Sequence, residues 1–463
     1  MTRGRVVVVG GGLAGLSAAL RCQDAGFAVT LLEARPRLGG ATCSFRRGEL
    51  TVDNGQHAFL RCYSAYLALL RRLGAAGDAS LQDRFSIPVL TPGQRPVLLR
   101  RVGLPAPAHL LPAVFGHRLL TISGRFRAMR TAQALRRLDP DDPALDGHSF
   151  GDWLRARRES RRSVDALWGL LTMAALNAEV DQASLALAVR VFRTGLLDTA
   201  DGADIGLLNR PLGELHGDAA YHALTNAGAT IRLRSKATGL RRVEHGWHVL
   251  TGSAGGSGDT ERVLDADAVV VAVPHREAAA LLRGLPLPGM SSWAQLSATA
   301  IVNVHVVYDR PVTGLRFAAV VDSPVQWVFD HSTVAGVRRG QYLAVSLSAA
   351  GRYLTSRTEE LRSVFLPALW SLFPAAARAE VTDFFVTREP RATFRQAPGT
   401  RRFRPASATA LPGLVLAGAW TDTGWPDTME GAVRSGETAA DLVERHLQCR
   451  TEPARSPTRE VTS

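Results

Sequence analysis

Lysine is almost missing from this chain: Lys236 is the only one, so arginine supplies the other 54 of its 55 basic residues. Against 42 acidic residues the net charge is +13. Nucleic-acid binders are also basic, but they usually mix lysine with arginine in blocks and carry recognisable motifs. Here arginine is scattered and no such motif is present, so no nucleic-acid partner is expected and the scatter reads mainly as GC-rich coding. Cysteine is scarce: Cys22, Cys43, Cys62 and Cys449 form no CxxC pair and no metal-ligand spacing. That excludes a disulfide framework, leaves no metal site to expect, and suits reduced thiols in the cytoplasm. No run of about 18 apolar residues exists, so no transmembrane helix is expected. The short run Val6 to Val9 passes straight into glycines rather than into a cleavage site, so the start of the chain reads as structural. Acidic residues are absent from Val97 to Leu138, where leucine-rich pieces alternate with arginines. Two readings of that stretch stay open: a face lying on anionic headgroups at the inner side of the cell membrane, or a helix pair whose arginines face water. What remains, at 463 residues, 46% hydrophobic and 21% charged, is a globular chain with core for about two or three domains.

Glycine is plentiful where it matters. Val6 to Val9 reads as a buried strand, followed by Gly10, Gly12 and Gly15 in GxGxxG spacing and then a helix. The first glycine makes the turn, the second lets a pyrophosphate reach the backbone, and the third lets helix and strand pack closely. The amides at Leu13 and Ala14, on the positive end of that helix, would face the phosphates. Phe27 to Leu32 reads as a second strand, and Glu33 at its end lies 18 residues past Gly15, placed to hold ribose hydroxyls. The chain continues Ala34, Arg35, Pro36, Arg37, Leu38, Gly39, Gly40, an E-x-R-x-x-x-GG segment. This stretch resembles the FAD-binding start of the amine oxidase and phytoene desaturase superfamily. The resemblance implies FAD as cofactor, with Arg35 or Arg37 offsetting phosphate charge and Gly39 and Gly40 touching the cofactor through backbone.

The same resemblance implies an α/β fold: a Rossmann-type FAD-binding domain assembled from residues 1–60, 206–284 and 396–449, with an α+β substrate domain from 61–205 and 285–395. Within the first, Pro211 to Ala227 reads as a helix, Thr230 to Leu233 and Asp267 to Pro274 as strands, and Ala237 falls where the family's chain runs past the adenine. Leu414 to Ala417 reads as a strand and a helix is expected from about Met429. Ile301 to Val307 and Tyr342 to Ser348 alternate as strands do. Residues 450–463 are expected to be a disordered tail.

Two further stretches narrow the family: LTVDNGQHAFL at Leu50 to Leu60, and LAGAWTDTGWPDTMEGAVRSG at Leu416 to Gly436. Together they resemble the hydroxysqualene dehydroxylases, whose members carry DNGQH and TDTGxPxTMEGAxxSG segments. Both stretches would lie against the flavin, with Gly55, Gln56, Gly418, Thr428, Met429, Glu430 and Ala432 as contacts. Thr428 suits an N-cap, leaving amides for the flavin edge that becomes negative on reduction, with Gly431 and Ala432 small enough for close approach. One departure stands out: the family's Gly-Asp after the strand is Gly418-Ala419 here, and Asp422 is the nearest substitute.

The resemblance implies a lipophilic C30 isoprenoid alcohol as substrate, reductive loss of its hydroxyl to give squalene, a hopanoid or sterol precursor, and an electron donor the sequence does not identify. Hydroxide leaves only after protonation, so an acid is needed. His57 is the first candidate, with Asp53 either orienting it or capping a turn; Asp422 is the second, and the plain alternative is that Asp53 and His57 only brace the flavin loop through hydrogen bonds. Trp425, Trp420, Phe59, Trp327 and Phe329 are candidate tunnel aromatics, with ordinary packing preferred for the last two. The rival readings are a carotenoid-type desaturase running hydride the other way, a flavin amine oxidase, and a prenyl-lipid carrier like the Rab GDP-dissociation inhibitors. A solitary Lys236 on the adenine side speaks against lysine-assisted amine oxidation, and the intact glycines and Glu33 against a carrier.

Overall fold

A computed structural model describes residues 4–253 and 262–451. Its first layer is a five-stranded parallel sheet in the order Thr230–Arg232, Ala28–Leu32, Arg5–Val9, Ala268–Val271, Leu414–Leu416. The central strands are continuous apolar runs because both faces are covered. The helix Leu13–Asp24 returns the chain between the first two strands, and the helix Met429–Thr451 packs beside it. Their contact is close: a Cβ on Gly436 would lie 2.2 Å from the Ala14 carbonyl oxygen. A three-stranded antiparallel sheet, Ser235–Val243, Gly246–Ser253 and Arg262–Ala266, adjoins this layer.

The second large sheet has seven strands, ordered Val381–Phe394, Ala298–Tyr308, Gln341–Leu347, Trp327–Asp330, Phe317–Val320, Ser86–Leu90, Val97–Arg100. Alternation along Ala298–Tyr308 decides how the sheet is used. Val302, Val304 and Val306 enter an apolar core with the helix Thr358–Leu372. Asn303 and His305, between them, face the other way, towards the segment that begins at Asp53. Further along the sheet that second face is covered by helices, with Ile87, Val97, Phe317 and Ala319 packed on Phe150, Trp168 and Phe192.

Most expected elements are present within a residue or two of their bounds. The helix expected from Pro211 contains a wide π-type turn, Glu214–Asp218, before the α-helix Ala219–Asn226. Of the expected tail, residues 450 and 451 instead complete the last helix, which still has a neighbour to pack on there: Arg450 donates to the His245 carbonyl at 3.2 Å. Residues 452–463 lie outside the described residues. None of the described helices is long and apolar enough to cross a membrane.

Candidate active site

The glycine turn has the shape a dinucleotide needs. A Cβ on Gly15 would sit 1.8 Å from the Gly10 carbonyl oxygen, so only glycine lets the helix start this close to the strand. Gly10 itself has φ +109°, in the region that favours glycine. Above Gly12 the nearest atom to a Cβ would be Gly40 Cα at 3.7 Å, so this backbone lies open. No side chain caps the helix that follows and no acid sits in its first turn, which leaves the Leu13 and Ala14 end positive. The Glu33 carboxylate accepts from the amides of Gly11 and Arg35, both at 2.8 Å. Arg35 and Arg37 converge on the Gly40 carbonyl at 3.4 and 3.2 Å, putting two guanidinium groups beside the turn, while Ala34 is exposed. Gly39 is tied to Gly11 through its amide at 2.9 Å. The strand carrying Ala237 starts where Ser235 donates to the Glu33 carbonyl at 3.0 Å, so Ala237 follows the acid closely.

The segment from Asp53 to His57 is pinned from three sides. The Asn54 side chain binds Ala41, Cys43 and Glu389, and its carbonyl accepts from Asn303 and Thr387 on the seven-stranded sheet. Gly55 is buried, and Gln56 Nε2 is a buried donor with no partner among the described residues. An orphaned buried amide costs stability unless a bound group satisfies it. Together with the open Gly12 backbone, it shows that these residues fit a dinucleotide-flavin cofactor.

On the opposite side Thr428 caps the last helix, accepting from the Gly431 amide at 3.2 Å. The amides ahead of it, at Met429 and Glu430, have no intrahelical partner. The Glu430 carboxylate points elsewhere: fully buried, it accepts from Ala65 and Tyr66 at the start of the helix Ser64–Arg72 and pairs with Arg434 at 2.7 Å. Ala432 is partly buried behind it. Gly418, with φ +136°, donates to Ser435 Oγ at 2.7 Å, and Ala419 is nearly buried.

Two of the catalytic expectations, for Asp53 and Asp422, need correction, and His57 is held apart from Asp53. Asp53 does not orient His57. It accepts from Ser44 Oγ at 2.5 Å and the Leu212 amide at 3.0 Å, and its other oxygen lies 3.3 Å from His331 Nε2. His57 binds its own turn through Nδ1 and the Gly55 carbonyl at 3.0 Å, so Nδ1 carries the proton. Burial pushes this imidazole below its ordinary 6.5, against the pull of the Gly55 carbonyl, which favours its neutral form. Asp422 is turned to Arg401 at 3.0 Å, beside Pro140 and Asp141, and its amide is tied to the Pro405 carbonyl. Arg401 and Pro405 hold it there.

The aromatics divide as well. Trp420 packs on Trp293 and donates to the Val273 carbonyl, beside the parallel sheet, and Phe59 is wholly buried against Tyr66, so neither lines a tunnel. Trp327 and Phe329 stack with Phe317 on the seven-stranded sheet. Trp425 meets Tyr63 edge-on at 6.1 Å and carries the Arg434 guanidinium 4.7 Å from its ring centroid.

Sequence reasoning missed several groups. Tyr63 lies beside the Thr428 side chain. Arg404, only 6% exposed, donates to the carbonyls of Ala419, Thr421 and Trp425 at 3.0, 2.6 and 2.9 Å, shaping the loop before the last helix. The wide turn Glu214–Asp218 delivers His216 to Thr42 and Tyr66, each at 2.9 Å. Most pointed is Asp427, immediately before the helix cap. One of its oxygens accepts from the Phe394 amide at 2.7 Å. Burial pushes its carboxyl up from 3.8 to about 6, against the Phe394 amide and Arg404. His57, Tyr63 and Asp427 are each partly buried. A signal for Asp427 was available: it is an acid at a variable position of an otherwise recognisable motif.

Comparison with known proteins agrees with this geometry. Residues 13–444 match the family of flavin containing amine oxidoreductases. A hydroxysqualene dehydroxylase of Sinorhizobium fredii is 30% identical over 447 residues, 94% of this chain and 97% of that protein. A probable zeta-carotene desaturase of Synechococcus elongatus is 26% identical over 479 residues, 94% and 98% of the two chains. Among solved structures, cyclohexylamine oxidase from Brevibacterium oxydans shares the fold at TM-score 0.72 and 18% identity, covering 96% of this chain and 99% of that one. The cofactor is FAD, and the chain is an FAD-dependent oxidoreductase belonging to the flavin containing amine oxidoreductase family.

Proposed function

We propose that this chain is a hydroxysqualene dehydroxylase, replacing the hydroxyl of a C30 isoprenoid alcohol with hydrogen to give squalene and water. The observation that carries the reading is near-full-length identity of 30% to two enzymes so named, in Sinorhizobium fredii and Rhodopseudomonas palustris. In this reading the segments 1–60, 206–284 and 396–449 hold FAD and the remainder forms the substrate domain. Glu33, the Gly10 to Gly15 turn, Arg35, Arg37 and the amides at Met429 and Glu430 would hold the cofactor. Reduced FAD, when bound, supplies the hydride, and an external electron donor restores it.

The chain's own contribution is a proton and a dry, ordered pocket. The C–O bond breaks as the oxygen takes a proton and leaves as water, and the carbon it leaves takes the hydride. We assign the proton to Asp427, which lies immediately before the helix end that would face the flavin. Its second oxygen is not engaged by the Phe394 amide, so a proton there can be offered to a substrate hydroxyl. Tyr63 and Trp425 offer ring faces for the positive charge that develops on carbon. His57 serves as an acceptor through Nε2 and holds the Gly55 turn.

Desaturation is the second reading, favoured by the 26% identity to zeta-carotene desaturases. Anaerobic incubation of the reduced holoprotein with hydroxysqualene, and of the oxidised one with phytoene or zeta-carotene, separates the two. Squalene from the first alone supports dehydroxylation; further desaturated carotene from the second alone replaces it.

A further inference from the structure

We infer that the face built by residues 97–130 docks on an anionic phospholipid bilayer. The inference goes beyond the proposed function and does not depend on it. Ten large hydrophobic side chains are conspicuously exposed among the described residues, and five of them, Leu98, Leu104, Phe115, Ile122 and Phe126, fall within 29 positions of a 463-residue chain. Scattered exposed apolar residues need no explanation, whereas a cluster marks an interaction surface.

Three of these residues, Phe115, Ile122 and Phe126, are brought together by their elements. Ile122 and Phe126 are one turn apart on the helix Ile122–Arg136, 71% and 55% exposed. The other side of that helix, with Ala128, Thr131 and Leu135, is buried and faces the helix Leu185–Phe192. Phe115, at the end of the helix Leu111–Phe115, touches the Phe126 ring edge-on at 5.3 Å. That helix packs on the strand Val97–Arg100, whose alternation buries Val97 and Leu99 in the same cluster as Ala113 and turns Leu98 and Arg100 to the strand's exposed face, flanking the aromatic pair.

Charge selects the occupant. Arg100, Arg118 and Arg130 are exposed and enter no ion pair among the described residues; exposed arginines such as Arg71, Arg241 and Arg338 elsewhere are also unpaired, and what sets this face apart is that its own stretch of chain carries no acid. No aspartate or glutamate occurs between Asp83 and Asp139. Protruding aromatic and branched side chains ringed by unmatched guanidinium groups suit the acyl boundary and phosphates of an anionic leaflet.

The test is flotation of the full-length holoprotein with vesicles of phosphatidylcholine alone or mixed with phosphatidylglycerol. The expected result is binding to the mixed vesicles only, weakening as salt rises, because exposed charges are screened. The variant F115S/I122S/F126S should bind at least about tenfold more weakly while keeping its FAD and thermal midpoint, given the apolar area withdrawn. R118E/R130E should weaken binding in the same way. Equal binding to both vesicle types, undiminished binding by the triple variant, or binding to neither vesicle overturns the inference. A wild-type dimer on gel filtration that the triple variant dissociates also overturns it, because a second copy then covers the face. Vesicle binding without squalene production removes the proposed function alone; squalene production without vesicle binding removes this surface alone.

Discussion

Replacing Asp427 with asparagine separates catalysis from stability in one variant. Burial raises this carboxyl from 3.8 to about 6, so between those values the folded protein holds a proton that the unfolded chain releases. Its contribution to stability is therefore complete below the unfolded value and lost as pH rises through about 6. Each pKa unit corresponds to about 1.4 kcal/mol, which sets the cost of ionising Asp427 in place on the order of 3 kcal/mol. Asparagine keeps an oxygen for the Phe394 amide and never ionises. D427N should thus melt above the wild type at pH 8, with the gap closing as pH falls towards 4. Its kcat should fall by about 10²–10⁴, the usual worth of a positioned acid. The wild-type rate should decline above about pH 6, and the variant should lose that limb. The assays are thermal unfolding across pH and squalene release from pre-reduced enzyme under anaerobic conditions. His57→Ala is the control: it should retain the wild-type pH limb, because burial favours the neutral form of His57. A D427N enzyme within about twofold of wild type at every pH would refute the assignment, since a general acid contributes far more. Parallel melting curves would refute the buried titration.

Gly436→Ala would place a methyl 2.2 Å from the Ala14 carbonyl oxygen and force apart two helices whose starts, in the proposed function, would hold the cofactor. Overpacking of this kind costs about 1–3 kcal/mol, so a lower melting point and loss of FAD on gel filtration are expected. Arg404→Met strips a donor from three carbonyls of the loop 419–425, at about 1–3 kcal/mol for each group left unpaired, and should speed proteolysis there while lowering FAD content. Asp204, fully buried, binds Arg61, Arg101 and the Phe85 amide. Burial alone would raise its pKa, but these partners outweigh it and hold it below the ordinary 3.8. Its stabilisation is complete above that ordinary value and lost as pH falls through the folded one, so D204N should melt lower at neutral pH and show a flatter acid limb.

The parallel sheet was legible because strands buried on both faces must be continuous apolar runs, and Val6 to Val9 and Ala268 to Val271 are. The glycine turn was legible because its spacing answers a steric demand, visible in the 1.8 Å that separates a Gly15 Cβ from Gly10. The capping role of Thr428 followed from local backbone chemistry. What was not legible is who meets whom across the chain. Asp53 was paired with its neighbour His57, yet a strand and a hairpin bring it Ser44 and His331 instead. Arg404 belongs to no motif, and its role exists only because the loop 419–425 folds around it. Trp420 and Trp425 are five positions apart and looked equivalent, but the turn at Gly418 sends one to the parallel sheet and leaves the other by Tyr63.

The central claim is tested by supplying the anaerobic, pre-reduced holoprotein with hydroxysqualene in deuterated water and analysing the product by mass spectrometry after a single turnover. The account predicts squalene in an amount equal to the flavin oxidised, with none formed by the oxidised enzyme. Unchanged hydroxysqualene beside flavin that stays reduced would contradict it.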